Sequence, residues 1–150
     1  MQSNVEKAER LGRRRARLLL AVGLMLVTLQ GVFLSVWREP VGPLRAVDLV
    51  YIAGWSALVI AALVAILTGA GYGYGPEVRA LVNDESARAN RDDALRYGFA
   101  STITSGLILF VASFMEPFGA REACHVIVSL GLGTALLRYG KLEKRAHELD

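Results

Sequence analysis

The stretch LLLAVGLMLVTLQGVFLSVW, residues 18–37, decides the fold class. It holds 20 residues with no Asp, Glu, Lys or Arg. At about 1.5 Å of rise per residue, a helix of that length crosses a hydrocarbon core roughly 30 Å thick. Its apolar run is too long for the core of a cleaved signal peptide. Arg38-Glu39-Pro40 follows it, not a small-x-small cleavage site. Residues 49–70 and 97–115 are likewise free of charge. A fourth block, 123–137, is shorter. Arg121 and Arg138 flank it and can snorkel, and Tyr139 suits an interface, so a span over 122–139 is expected. Across all 150 residues the hydrophobic share is 53% and the mean hydropathy is +0.38. The expected architecture is all-α: a polytopic membrane protein with a four-transmembrane-helix bundle, forming a single membrane domain over 1–150.

Charge gives the orientation. The stretch before the first span carries Lys7, Arg10, Arg13, Arg14, Arg15 and Arg17. The segment 71–96 carries Arg79, Arg88, Arg91 and Arg96, and the C-terminal stretch carries Arg138, Lys141, Lys144 and Arg145. Only Arg38, Arg45 and Arg121 fall in the other two loops, so the division is 14 basic residues against 3. The positive-inside rule then places both termini and the loop 71–96 in the cytoplasm. The expected location is a bacterial inner membrane. Richness in Ala, Leu, Arg and Gly fits a GC-rich genome.

Residues 3–17 read as a helix. Ser3-Asn4-Val5-Glu6 fits a capping box, and Glu6–Arg10 and Glu9–Arg13 are i,i+4 pairs. Arg13, Arg14, Arg15 and Arg17 abut the first span with no interleaved aromatics. They are therefore read as contacts to anionic lipid headgroups, not to nucleic acid. The two outer turns, residues 39–45 and 116–121, both stop a helix with Glu-Pro and turn at Gly. Two similar helical hairpins are one reading, two independent turns the other. The run Gly69-Ala-Gly-Tyr-Gly-Tyr-Gly-Pro76 is a flexible link without the Lys-Ser/Thr pair of a phosphate loop. Pro76 is a plausible start for a short surface helix.

Small residues mark the faces on which spans pack. Ala53, Ala57, Ala61, Ala65 and Gly69 recur every four residues, and Gly98, Ser101, Thr102, Ser105 and Gly106 share a weakly polar face. A hydrated path for a solute would also require an ionisable group near mid-membrane. Of strong polar groups, the charge-free centres offer Gln30 and hydroxyls. Small multidrug exporters share the size and the four spans but rely on a glutamate within the first span. None is present here, so that function is not carried over.

No catalytic, cofactor or metal site is expected. Glu116, Glu122, Cys124 and His125 cluster near the outer end of the last two spans. Adjacent helical residues such as Cys124 and His125 point about 100° apart and cannot act as a nucleophilic pair. The single cysteine excludes an intrachain disulfide.

In NDESARANRDDALRYGF, residues 83–99, the residues Asp84, Arg88, Asp92 and Arg96 form an i,i+4 ladder of alternating sign. Asn83 is the expected N-cap, and a continuous helix should run from near Asp84 through the third span. Each exposed pair contributes only about 0.3–0.5 kcal/mol. Arg91 and Asp93 lie off the ladder and are candidates for docking a partner. Asp84-Glu85-x-x-Arg88, followed by Ala94 and an aromatic entry to the span, resembles small uncharacterised bacterial four-span membrane protein families. Those carry an acidic-acidic-x-x-Arg segment between spans two and three. The resemblance implies topology and, for the loop, an interaction role with cytoplasmic regulators. The expected function is a non-enzymatic accessory or regulatory subunit of a membrane complex, or a homo-oligomer. The alternative is a small homo-oligomeric transporter or channel.

Overall fold

The computed structural model describes residues 4–36, 45–69, 83–115 and 119–146. They form four α-helices: α1 (Asn4–Val36), α2 (Ala46–Thr68), α3 (Glu85–Ala112) and α4 (Ala120–Ala146). Each is long and apolar enough to cross a membrane. Most of the two turns at 39–45 and 116–121, the link after Gly69, Pro76 and Ser3 lie outside the described residues.

The 33 residues of α1 make a rod about 50 Å long. Its first turns therefore extend past its apolar part. They carry the pairs Glu6–Arg10 (3.7 Å) and Glu9–Arg13 (3.6 Å). Helix α2 begins where the Asp48 carboxylate accepts the Arg45 backbone N–H at 3.0 Å. It ends at Gly69, whose φ of 68° lies in the left-handed region that a Cβ disfavours. Helix α3 runs unbroken from the charged segment into the apolar one. Its N-cap is Asp84, not Asn83: Asp84 Oδ1 accepts the Ala87 N–H at 2.8 Å. Asn83 is drawn instead towards α1 and α2, where its Nδ2 donates to Thr68 O at 3.4 Å.

Helix α4 is the hub. It packs most closely along α1 and α3, and α2 touches it at fewer places. Glycine makes those approaches possible. A Cβ on Gly98 of α3 would lie 2.7 Å from Ala135 Cβ and 2.9 Å from Gly131 O. One on Gly23 of α1 would lie 2.9 Å from Leu137 N and 3.0 Å from Gly133 O. The backbones thus meet where a side chain would hold them apart. Between them Leu26, Ile66, Leu136 and Tyr139 are fully buried. The outside of the bundle is apolar: Phe99, Leu107 and Phe110 of α3 and Val47, Val50 and Ile60 of α2 are all exposed. Such a surface suits hydrocarbon, not water.

The alanine stripe of α2 is placed differently from its expected packing role. Ala53, Ala57 and Ala61 are exposed, Ala65 is half-buried and Gly69 is buried. Geometry explains this. Four residues at 3.6 per turn overshoot one turn by about 40°, so the stripe winds around the helix. Only its C-terminal end reaches the core, and Ala62 and Ile66 carry the contact instead. On α3, the small face lies against α4. Ser101 Oγ donates to Leu130 O at 3.4 Å, and Thr134 Oγ1 donates to Ser101 Oγ at 3.1 Å. Ser105 Oγ donates back to Ser101 O at 2.7 Å, and Gly106 stands 3.8 Å (by an added Cβ) from Ile127.

Candidate functional site

Two polar clusters sit at opposite ends of the bundle. At the end where α1 starts and α4 finishes, Arg15 is buried and ion-paired with Glu143. Its Nη1 also donates to Gly69 O at 3.1 Å and to Asn83 Oδ1 at 3.3 Å. Asn90 Nδ2 donates to Glu143 Oε1 at 3.4 Å. The guanidinium lies 5.6 Å from the centre of the Tyr139 ring. One cation on α1 therefore ties together α4, the cap of α2 and the turn before α3, and its partner Glu143 extends the cluster to Asn90 of α3. This revises the lipid-headgroup reading of Arg15, which is only 6% exposed. Arg13, Arg14 and Arg17 remain exposed.

Arg91 and Asp93, expected to be free for a partner, are engaged within the chain. Arg91 Nη1 donates to Leu67 O at 3.1 Å, closing α3 onto the end of α2. Arg138 Nε donates to Asp93 Oδ2 at 2.8 Å, and the same guanidinium lies 4.5 Å from the Tyr97 ring centre. The ladder behaves in the opposite way. None of its i,i+4 steps closes to an ion pair among the described residues. Asp84 is spent on the cap, and Asp92 meets Arg91 at 3.9 Å. Arg88, Asp92 and Arg96 stand exposed on one helix face.

At the other end, His125 is buried against α1 and α2. Gln30 Nε2 donates to Leu26 O at 3.0 Å, which turns Gln30 Oε1 towards His125. That oxygen can only accept, so His125 Nδ1 carries the hydrogen in their 2.9 Å bond. In the neutral ring Nε2 is then an acceptor, and the Tyr51 hydroxyl stands 3.3 Å from it. The imidazole is sandwiched between Phe33, at 3.8 Å and 11°, and Trp55, at 4.5 Å and 22°. Trp55 Nε1 donates to Ser129 Oγ at 3.1 Å. A cavity of about 270 Å³ beside this stack is lined by Tyr51, Arg121 and Cys124 among others.

The cluster of Glu122, Cys124 and His125 does not assemble as one site. Glu122 Oε2 accepts the Gly119 N–H at 2.8 Å and serves as a helix-start cap. Cys124 is exposed while His125 turns inward, and Glu116 lies outside the described residues. Among the described residues no three His, Cys, Asp or Glu side chains could share a metal ion.

The cross-helix pairs Arg15–Glu143 and Gln30–His125 were not foreseen from sequence. A signal was present. Arg15, Leu19, Leu26, Gln30 and Phe33 fall at helical spacing on one face, with the polar residues in phase with the apolar ones. Compared with known proteins, the chain matches no family model, no curated protein and no solved structure.

Proposed function

We propose that this is a multi-pass protein of a bacterial inner membrane, with both termini and the start of α3 in the cytoplasm. It acts as a non-enzymatic accessory or regulatory subunit of a membrane complex. The orientation rests on the 14-to-3 division of basic residues. The observation that carries the docking role is the exposed strip Arg88, Asp92 and Arg96. Arg88 and Arg96 form no ion pair among the described residues, so their guanidiniums, on either side of the exposed Asp92, are open to an acidic partner surface. Arg91 and Asp93 instead hold that segment of α3 to α2 and α4.

The test is purification of the tagged chain from its native membrane in mild detergent. A stoichiometric second protein is expected. It should be lost in the double variant Arg88→Glu, Arg96→Glu, with thermal stability unchanged. Recovery of the chain alone sinks the subunit reading.

One observation favours a second reading, a small homo-oligomeric transporter or channel. His125 is an ionisable group buried near the outer end of a span, off the mid-membrane position a full path requires, and buried ionisable groups commonly mark a solute or proton route. Flux through purified protein in liposomes, abolished by His125→Phe, would support it. No flux would remove it.

A further inference from the structure

Between α1 and α2 lies a groove of about 410 Å³, walled by Arg14, Leu18 and Val22 on one side and Leu58, Ala61 and Ala65 on the other. It exists because α1 and α2 both lean on α4 and scarcely touch each other. Alanines at positions 61 and 65 keep its α2 wall low. Along α2 it runs from residue 58 to 65, about 10 Å, the greater part of one leaflet's depth.

The charge at its mouth is specific. Arg10 and Arg13 are paired with Glu6 and Glu9, and Arg15 with Glu143. Arg17 Nε donates to the Arg13 carbonyl at 3.4 Å and does not line the groove. Arg14 is exposed, lines the groove, and meets no acidic group among the described residues. We propose that the α1–α2 groove is a binding site for one anionic phospholipid, its phosphate on Arg14 and the upper part of an acyl chain against Leu58, Ala61 and Ala65. The groove's other charged lining residue, Arg15, is answered by Glu143, so an unpaired cation beside a mostly apolar groove matches a phosphate above a hydrocarbon chain. A second copy's helix would fill the apolar floor but leave Arg14 unanswered. The proposal rests on the reading of the four helices as membrane spans and is independent of the docking role of α3.

The experiment is native mass spectrometry of the full-length protein released from nanodiscs containing equal phosphatidylglycerol and phosphatidylcholine. One retained phosphatidylglycerol per chain is expected, in preference to phosphatidylcholine. Loss of one basic contact to an anionic lipid corresponds to about a fivefold drop in retention, expected for Arg14→Gln. Arg13→Gln removes the same charge from a residue off the groove and should leave retention unchanged. Ala61→Phe fills the groove and should displace the lipid while the fold is kept. Equal losses in the Arg14 and Arg13 variants would show diffuse attraction and overturn the site. So would undiminished retention in Ala61→Phe, equal competition by soluble glycerol phosphate, or a dimer that occludes the groove. A chain that incorporates into nanodiscs but retains neither lipid overturns the site alone, whereas failure to incorporate overturns the membrane reading as well.

Discussion

Arg15 of α1 and Glu143 of α4, 128 residues apart in sequence, form an ion pair whose side chains are 6% and 4% exposed. Neither charge can reach bulk water, so each depends on the other. Removing one partner strands a buried charge, at a cost of about 3–5 kcal/mol, whereas replacing both by apolar groups is often neutral. Arg15→Met and Glu143→Leu should each lower stability by that amount, and the double variant should recover most of it. Unfolding by a denaturing detergent titrated into mild micelles measures all three. Additive losses in the double variant would contradict the pairing.

The glycines of the bundle separate into two kinds. Gly98→Ala places a methyl 2.7 Å from Ala135 Cβ and 2.9 Å from the Gly131 carbonyl, so α3 and α4 must part. A loss of roughly 1–3 kcal/mol is expected from such overpacking. Gly31 and Gly54 have nothing within 4 Å of an added Cβ. There alanine should stabilise the helix by about 0.5–1 kcal/mol, since glycine's extra backbone freedom is removed. The same denaturation assay distinguishes the two, and the opposite signs are the outcome to look for.

The Gln30–His125 bond makes a further prediction. His125→Phe preserves a ring between Phe33 and Trp55 but leaves the Gln30 carbonyl oxygen without its 2.9 Å partner. A buried orphan of this type costs about 1–3 kcal/mol. Adding Gln30→Leu removes the orphan, so the double variant should be more stable than His125→Phe alone. A non-zero coupling in that cycle is the signature of the bond. Strict additivity would show that the two side chains act independently.

How much was readable in the sequence depended on the range of the interaction. The four helices, their order and the continuity of α3 from charged to apolar residues follow from local composition and period. The N-cap was displaced by one residue because Asn83 is recruited by Arg15 and Thr68, neither of them a neighbour in sequence. Arg91 and Asp93 look free on a helical projection because their partners, Leu67 O and Arg138, lie on other helices. Arg15 resembles its three exposed neighbours in composition. Only its phase with Leu19 and Leu26 separates it, and only Glu143 explains it. The winding of the Ala53–Gly69 stripe follows from the mismatch between a four-residue spacing and the helical turn, which the bare spacing conceals.

The hub position of α4 has a consequence for how the molecule comes to exist. Protein segments leave the ribosome in chain order, and early ones wait for later ones. Here α1, α2 and α3 are all delivered before the helix against which they pack. Until residues 120–146 arrive, Arg15 has no counter-charge from Glu143, and the flanks at Gly23 and Gly98 have no backbone to meet. During biogenesis the first three helices therefore lack their main packing surface, joined only by bonds such as that from Arg91 to Leu67 O, and α4, arriving after them, acts as the closing piece of the assembly.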